Sequence, residues 1–95
     1  MDKNTLIQNN SHLFWWVPEE QKKHISTESL IENILNNGDE KSVKDLFELI
    51  GIERVADTFF NQINNKRNNY FPQVKNFFTL YFKRHVQKNT YKKST

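Results

Sequence analysis

Residues 26–63 read STESLIENILNNGDEKSVKDLFELIGIERVADTFFNQI, and their apolar residues recur every three to four positions. This spacing is typical of amphipathic α-helices that bury one face. It predicts three consecutive helices, from Ser26–Thr27 to about Asn37, from Asp39 to about Ile50, and from about Glu53 to Asn64.

The residues between these three helices are types that begin and end helices. Ser26 or Thr27 is the predicted N-cap of the first helix and Asp39 that of the second, because their short side chains can accept a hydrogen bond from the first turn. Gly38 is expected just beyond the first helix, at a position where it would tolerate a positive φ, and Gly51 is expected to end the second. The helices are therefore separated by short connections.

The amino-terminal residues divide into a polar part and an aromatic part. Residues 1–11 are polar except for Leu6 and Ile7, which indicates a flexible arm. Residues 12–17, HLFWWV, are the most apolar run and stop at Pro18, a pattern that favours an extended segment packed across the helices. Alternation along this segment predicts that one set of side chains faces the core (Leu13, Trp15, Val17) and the other faces solvent or a partner (Phe14, Trp16).

A last helix is predicted to begin at Pro72, which suits the first position of a helix, and to reach about Gln87. Its apolar residues cover more than one face. A central stripe closes the core (Val74, Phe77, Phe78, Tyr81, His85), and Phe82 and Val86 lie on one flank of it. Residues 89–95 are polar and basic and are expected to be a disordered tail.

These elements predict an all-α fold, a small bundle of about four short helices with the extended aromatic segment across it. Residues 12–88 would form one domain between the flexible arm 1–11 and the basic tail 89–95. With only two glycines and two prolines, the chain has too few turn residues for a sandwich or a barrel.

Several classes of function are disfavoured by the composition. The chain has no cysteine, and its three histidines (His12, His24, His85) do not share a helical i, i+4 spacing. No nucleophile or phosphate-binding motif is present, so we expect no enzyme and no catalytic, cofactor, metal or small-molecule site. No apolar run approaches the length of a membrane span, and the chain opens without a basic-then-apolar leader, which favours the cytoplasm.

Charge is divided unequally along the chain. Residues 1–65 carry six bases and eleven acids, a formal charge of −5, whereas residues 66–95 carry eight bases and no acid, a formal charge of +8. Such asymmetry indicates an acidic partner, either protein or nucleic acid. The residues that would bind nucleic acid are spread around the last helix and do not form one stripe: Lys75, Lys83, Arg84 and Lys88.

Residues 12–82 resemble a small bacterial family that is catalogued as a domain of unknown function. The resemblance lies in HLFWWVPEEQ, in ELIGIERVADTFF and in YFPQVKNFFTLYF, where the matching residues are Leu13, Phe14, Trp15, Val17, Gly51, Glu53, Arg54, Val55, Asn76, Phe77 and Phe78. The chain departs from the pattern at Trp16, where the family has Asp, and at Ile50, where the family has an aromatic residue. Because members are often encoded beside nucleotidyltransferase toxins of the AbiEii type, the resemblance implies an antitoxin-like partner without catalytic residues.

A non-enzymatic protein-binding module is therefore the function expected first, with nucleic-acid binding as the alternative. The partner would be a toxin-like protein or a second copy of the chain. Phe82 and Val86 exceed what a four-helix core needs, and with Trp16 they form the predicted partner-binding surface.

Overall fold

A computed structural model of the protein describes residues 2–65 and 68–86. These residues contain helices and no strand, which confirms the all-α prediction. Five of the helices in these residues are α-helices: α1 (Lys3–Asn9), α2 (Thr27–Asn37), α3 (Glu40–Ile50), α4 (Ile52–Ile63) and α5 (Pro72–His85). Two 3-10 helices, Ser11–Phe14 and Glu19–His24, lie between α1 and α2. The predicted tail and Lys88 lie outside the described residues.

The helix boundaries between α2 and α4 follow the predicted capping residues. Ser26 Oγ accepts a hydrogen bond from the N–H of Ser29 at 3.1 Å, and Asp39 Oδ1 accepts one from the N–H of Ser42 at 2.8 Å. The second bond favours the charged carboxylate and lowers the pKa of Asp39. Each bond pairs a backbone donor that has no partner within its own helix, so both N-cap predictions are confirmed.

The two glycines act in different ways. Gly38 has φ −76°, so its tolerance of a positive φ is not used. A Cβ at this position would lie 2.7 Å from the Ile34 carbonyl oxygen of α2 and 3.3 Å from the Ser42 Cβ of α3, so the end of α2 itself is the main reason that a side chain is excluded. Gly51 does have a positive φ, +97°, and it joins α3 directly to α4.

The core draws residues from all five α-helices. Phe59 of α4 lies at its centre, with its ring 5.1 Å from that of Tyr70, 6.2 Å from Phe78 and 5.4 Å from Phe82. These edge-to-face contacts are a favourable arrangement for aromatic rings. The buried apolar residues are Leu6, Ile7, Phe14, Ile25, Leu30, Ile31, Ile34, Leu35, Leu46, Val55, Ala56, Phe59, Tyr70, Phe78, Phe82 and Val86.

The amino-terminal arm was predicted wrongly, because residues 3–9 form a helix that belongs to the core. Leu6 and Ile7 of α1 are fully buried. The α1 helix is also held to α3 by a buried pair of side chains, since Ser42 Oγ donates a hydrogen bond to Asn10 Oδ1. Asn10 Nδ2 donates in turn to the Leu6 carbonyl oxygen at 3.0 Å, so both the oxygen and the nitrogen of the buried Asn10 amide are hydrogen-bonded.

The aromatic segment, residues 12–17, is not extended, contrary to the prediction. Its first half is a 3-10 helix, and Trp15 continues in the right-handed helical region. Phe14 is consequently buried and Trp15 exposed, the reverse of the prediction for these two residues. Leu13 and Val17 pack against the core and Trp16 is exposed, as predicted. An extended segment would have no strand to pair with in this fold. The helical turns pair its backbone locally instead, from Leu13 N–H to Asn10 O at 2.8 Å and from Val17 N–H to Phe14 O at 2.9 Å.

Candidate protein-binding surface

Large apolar side chains are exposed at two places on the molecule. The turn between the two 3-10 helices exposes Trp15 by 80% and Trp16 by 53%. The second place is α5 and the residue before it, where Phe71 is exposed by 52%, Phe77 by 58% and Leu80 by 69%. The predicted surface residue Trp16 therefore lies at the surface, beside a tryptophan that was expected in the core.

Phe82 and Val86 are not surface residues, which corrects the predicted partner-binding surface. They are exposed by 0% and 1%, respectively. The Phe82 ring packs 5.8 Å from Phe47 of α3 and 5.4 Å from Phe59 of α4. The flank of α5 that was interpreted as excess apolar surface is thus the one covered by α3 and α4.

The exposed side of α5 carries Phe77 and Leu80 instead, so the prediction that Phe77 helps to close the core is wrong. They lie three residues apart and therefore on neighbouring positions of one helical face, with Arg84 one turn beyond Leu80. The sequence contained a usable signal, because the apolar residues of α5 cover more than the one face that a core needs. It could not indicate which of these faces the other helices would cover.

Three aromatic rings form a stack from the edge of the core to the surface. Phe47 of α3 stacks on Tyr81 at 5.9 Å with an interplanar angle of 20°, and Tyr81 stacks on Phe77 at 6.0 Å and 18°. His85 lies against the Tyr81 ring with centroids 4.4 Å apart. The exposed Phe77 ring thus packs on Tyr81, which in turn packs on Phe47, and both of these residues are partly buried.

A groove of about 390 Å³ lies between α3 and α5 beside this stack, with lining residues Glu40, Val43, Lys44, Phe47, Phe77, Phe78 and Tyr81. A second depression of about 270 Å³ lies on the α5 side and is lined by Phe77, Leu80, Tyr81, Arg84 and His85. Phe77 and Tyr81 line both of them. We call the two depressions together the α3–α5 groove.

The charged residues that line the α3–α5 groove carry a small excess of positive charge. Its one lining acid, Glu40, is paired with Lys44 at 3.2 Å, and Arg84 lines the α5 side. Lys75, Lys83 and Arg84 are all exposed on α5, and the described residues 68–86 include no acid. Three of the four predicted nucleic-acid-binding residues are therefore available at the surface.

Residues 69–71, which precede α5, are held to α2 and α4 by hydrogen bonds to polar side chains. Asn36 of α2 donates a hydrogen bond to the Asn69 carbonyl oxygen at 2.8 Å and accepts one from the Phe71 N–H at 3.1 Å. The hydroxyl of Tyr70 donates to Gln62 Oε1 of α4. Burial, and to a lesser degree the negative charge of Glu32, raises the pKa of Tyr70 well above its ordinary value. These contacts place α5 but were not indicated by any periodicity in the sequence.

Residues 2–65 and 68–86 contain no group of three or more His, Cys, Asp or Glu side chains that could hold a metal ion. No helix in the same residues is long and apolar enough to cross a membrane.

Comparison of the chain with protein-family models, with curated proteins and with solved structures finds no match.

Proposed function

We propose that the chain is a non-enzymatic protein-binding module that acts as an antitoxin-like partner of a bacterial toxin or defence protein. The observation that carries the proposal is the pair of adjacent exposed tryptophans, Trp15 and Trp16. Tryptophan is enriched among the residues that contribute most to protein interfaces, because one indole buries a large area when it is covered.

We call the turn that carries Trp15 and Trp16 the tryptophan turn. Its neighbouring residues anchor it to the fold. Phe14, next to Trp15 in the chain, is fully buried, and the turn is closed by the hydrogen bond from Val17 N–H to the Phe14 carbonyl oxygen at 2.9 Å. Binding through a preformed turn loses less conformational entropy than binding through a loose segment. The exposed indoles are therefore well suited to contact a partner.

The antitoxin-like role is supported by the resemblance of residues 12–82 to the family often encoded beside nucleotidyltransferase toxins. Two of the matching residues, Trp15 and Phe77, are exposed by more than half of their surface. Exposed aromatic residues of this kind do not contribute fully to the core, so a contact with another protein would explain their presence.

Co-expression with the product of the neighbouring gene tests this proposal. The wild-type chain should form a complex with that protein and relieve any growth arrest that it causes. Changing Trp15→Ser and Trp16→Ser together should weaken the complex by about 30-fold or more, since a hot-spot residue contributes about 2 kcal/mol. His12→Ser, an exposed change in the same region, is the matched control and should bind normally.

Two results would contradict the proposal. Wild-type affinity in the double tryptophan variant would show that the turn is not the contact surface. Failure of the wild-type chain to form a complex or to relieve the arrest would exclude the antitoxin-like role.

Nucleic-acid binding is the second candidate, favoured by the charge of +8 in residues 66–95 and by the exposure of Lys75, Lys83 and Arg84. Binding through lysine and arginine should weaken steeply with salt, with a slope of log K against log salt of about −0.7 to −0.9 for each phosphate contacted. A complex that forms mainly through the tryptophans should show little salt dependence. Titrations at several salt concentrations therefore separate the two functions.

A further inference from the structure

We infer that the α3–α5 groove binds an acidic amphipathic helix of the partner protein, with the apolar side of that helix on Phe77 and Tyr81 and its carboxylates near Arg84. This inference rests on the proposed protein-binding function and adds to it the chemistry of the partner at a second surface. The tryptophan turn is not part of the groove.

The lining of the groove favours a helix with apolar side chains. Val43 and Phe47 of α3 and Phe77 and Tyr81 of α5 line the groove, and the Phe47 and Tyr81 rings stack on each other where the two helices meet. The second depression continues the same apolar surface past Leu80. Helices that bind in grooves use apolar residues at i, i+3 or i+4 and i+7, and a surface between two helices presents successive sites for such residues.

The charge of the groove selects an acidic occupant. Lys44 offsets the only acid of the lining, Glu40, and the remaining charged lining residue is Arg84. Lys75 and Lys83 are exposed on other sides of α5 and do not line the groove, and no acid is present in residues 68–86. Carboxylates on the polar side of a bound helix would therefore meet an attractive potential, whereas lysines there would be repelled.

The same charges argue against a second copy of the chain as the occupant. Two copies paired through the exposed side of α5 would each bring Arg84 to the contact. Like charges placed together at an interface are unfavourable, and α5 has no acid among its described residues to compensate for them.

Two synthetic amphipathic peptides of about 18 residues, or five helical turns, test the inference with the full chain. Both carry the same stripe of leucine and phenylalanine, and their polar positions are glutamate in one and lysine in the other. We expect the glutamate peptide to bind at least about tenfold more tightly in fluorescence anisotropy, and to shift the amide resonances of Leu80 and Tyr81.

Matched variants locate the binding. Phe77→Ser should weaken binding of the glutamate peptide about tenfold or more. Phe71→Ser is the control, because Phe71 is a similarly exposed phenylalanine, 52% against 58%, that does not line the groove. Arg84→Glu should reduce the preference for glutamate over lysine, and it decides the result if circular dichroism shows that Phe77→Ser does not fold.

Several outcomes would overturn the inference. These are equal affinity for the two peptides, binding of neither, an equal effect of Phe71→Ser and Phe77→Ser, or displacement of the glutamate peptide by a single-stranded oligouridylate. Self-association of the wild-type chain that Phe77→Ser abolishes would make the groove a dimer interface instead. The proposed function is tested separately, because a natural partner that depends on Trp15 and Trp16 supports it even if the groove binds neither peptide.

Discussion

Phe14 and Trp15 are neighbours in the sequence with opposite environments. Phe14 is buried in the core, and Trp15 is exposed by 80% at the surface. A 3-10 helix turns by about 120° per residue, so adjacent side chains point in different directions without the strict two-face alternation of a strand. The local backbone conformation therefore determines which aromatic residue supports the fold.

We expect Phe14→Ala to destabilise the protein by about 3–5 kcal/mol, because it leaves a cavity in a closed core. Trp15→Ala should change the free energy of unfolding by less than about 1 kcal/mol, since the indole is exposed. Urea denaturation of the two variants measures both values. Similar losses of stability in the two variants would contradict the assignment of Phe14 to the core and Trp15 to the surface.

At the scale of the elements, α5 is positioned by the segment that precedes it as well as by its own apolar face. The ring centroids of Tyr70 and Phe59 lie 5.1 Å apart, and the Tyr70 hydroxyl donates a hydrogen bond to Gln62 Oε1. Gln62 Nε2 in turn donates to the Glu28 carbonyl oxygen of α2 at 2.9 Å. This chain of hydrogen bonds links the start of α5 to α4 and α2.

The protonated form of Tyr70 is the one that the folded state favours. Since burial raises the pKa of Tyr70 in the folded protein, its contribution to stability is complete below the pKa of an unfolded tyrosine and is lost as the pH rises through the folded pKa. We expect stability to fall at alkaline pH, above the ordinary tyrosine pKa of 10.0. Tyr70→Phe should reduce this dependence, which urea denaturation at a series of pH values measures.

Absorbance of tyrosinate provides the control for that prediction. In the wild type, one tyrosine should ionise only with unfolding, and this late step should be missing in Tyr70→Phe. If Tyr70→Phe instead lacks a step that the wild type shows before it unfolds, Tyr70 ionises in the folded state.

At the scale of the whole molecule, α1 closes the core from the other end of the chain. Leu6 and Ile7 are buried among the other core residues, and the Asn10–Ser42 hydrogen bond joins positions 32 residues apart. The amino-terminal residues are therefore part of the domain, although their sequence is mostly polar.

Leu6→Ala should lower the free energy of unfolding by about 2–5 kcal/mol, the usual cost of truncating a buried leucine. Gln8→Ala, an exposed change in the same helix, is the matched control and should have little effect. Thermal or urea denaturation measures the difference. Equal stability of the two variants would show that α1 is not part of the cooperative fold.

The helices from α2 to α5 follow from the sequence alone. Their apolar residues repeat at helical spacing over eleven to fourteen residues, and local signals such as Ser26, Asp39 and Pro72 mark where they begin. These signals act between residues close in the chain, so they are readable without knowledge of the tertiary structure.

The arrangement of residues 2–17 and the exposed face of α5 depend on contacts between distant parts of the chain. A seven-residue helix such as α1 is too short to show a clear period and is marginal by itself, so packing on α3 stabilises it. The α5 helix is apolar on more than one side, and the sequence is compatible with burial of either apolar side in the core. The positions of α3 and α4 bury Phe82 and Val86 and leave Phe77 and Leu80 exposed, because one helix can be covered only on the side where its neighbours lie.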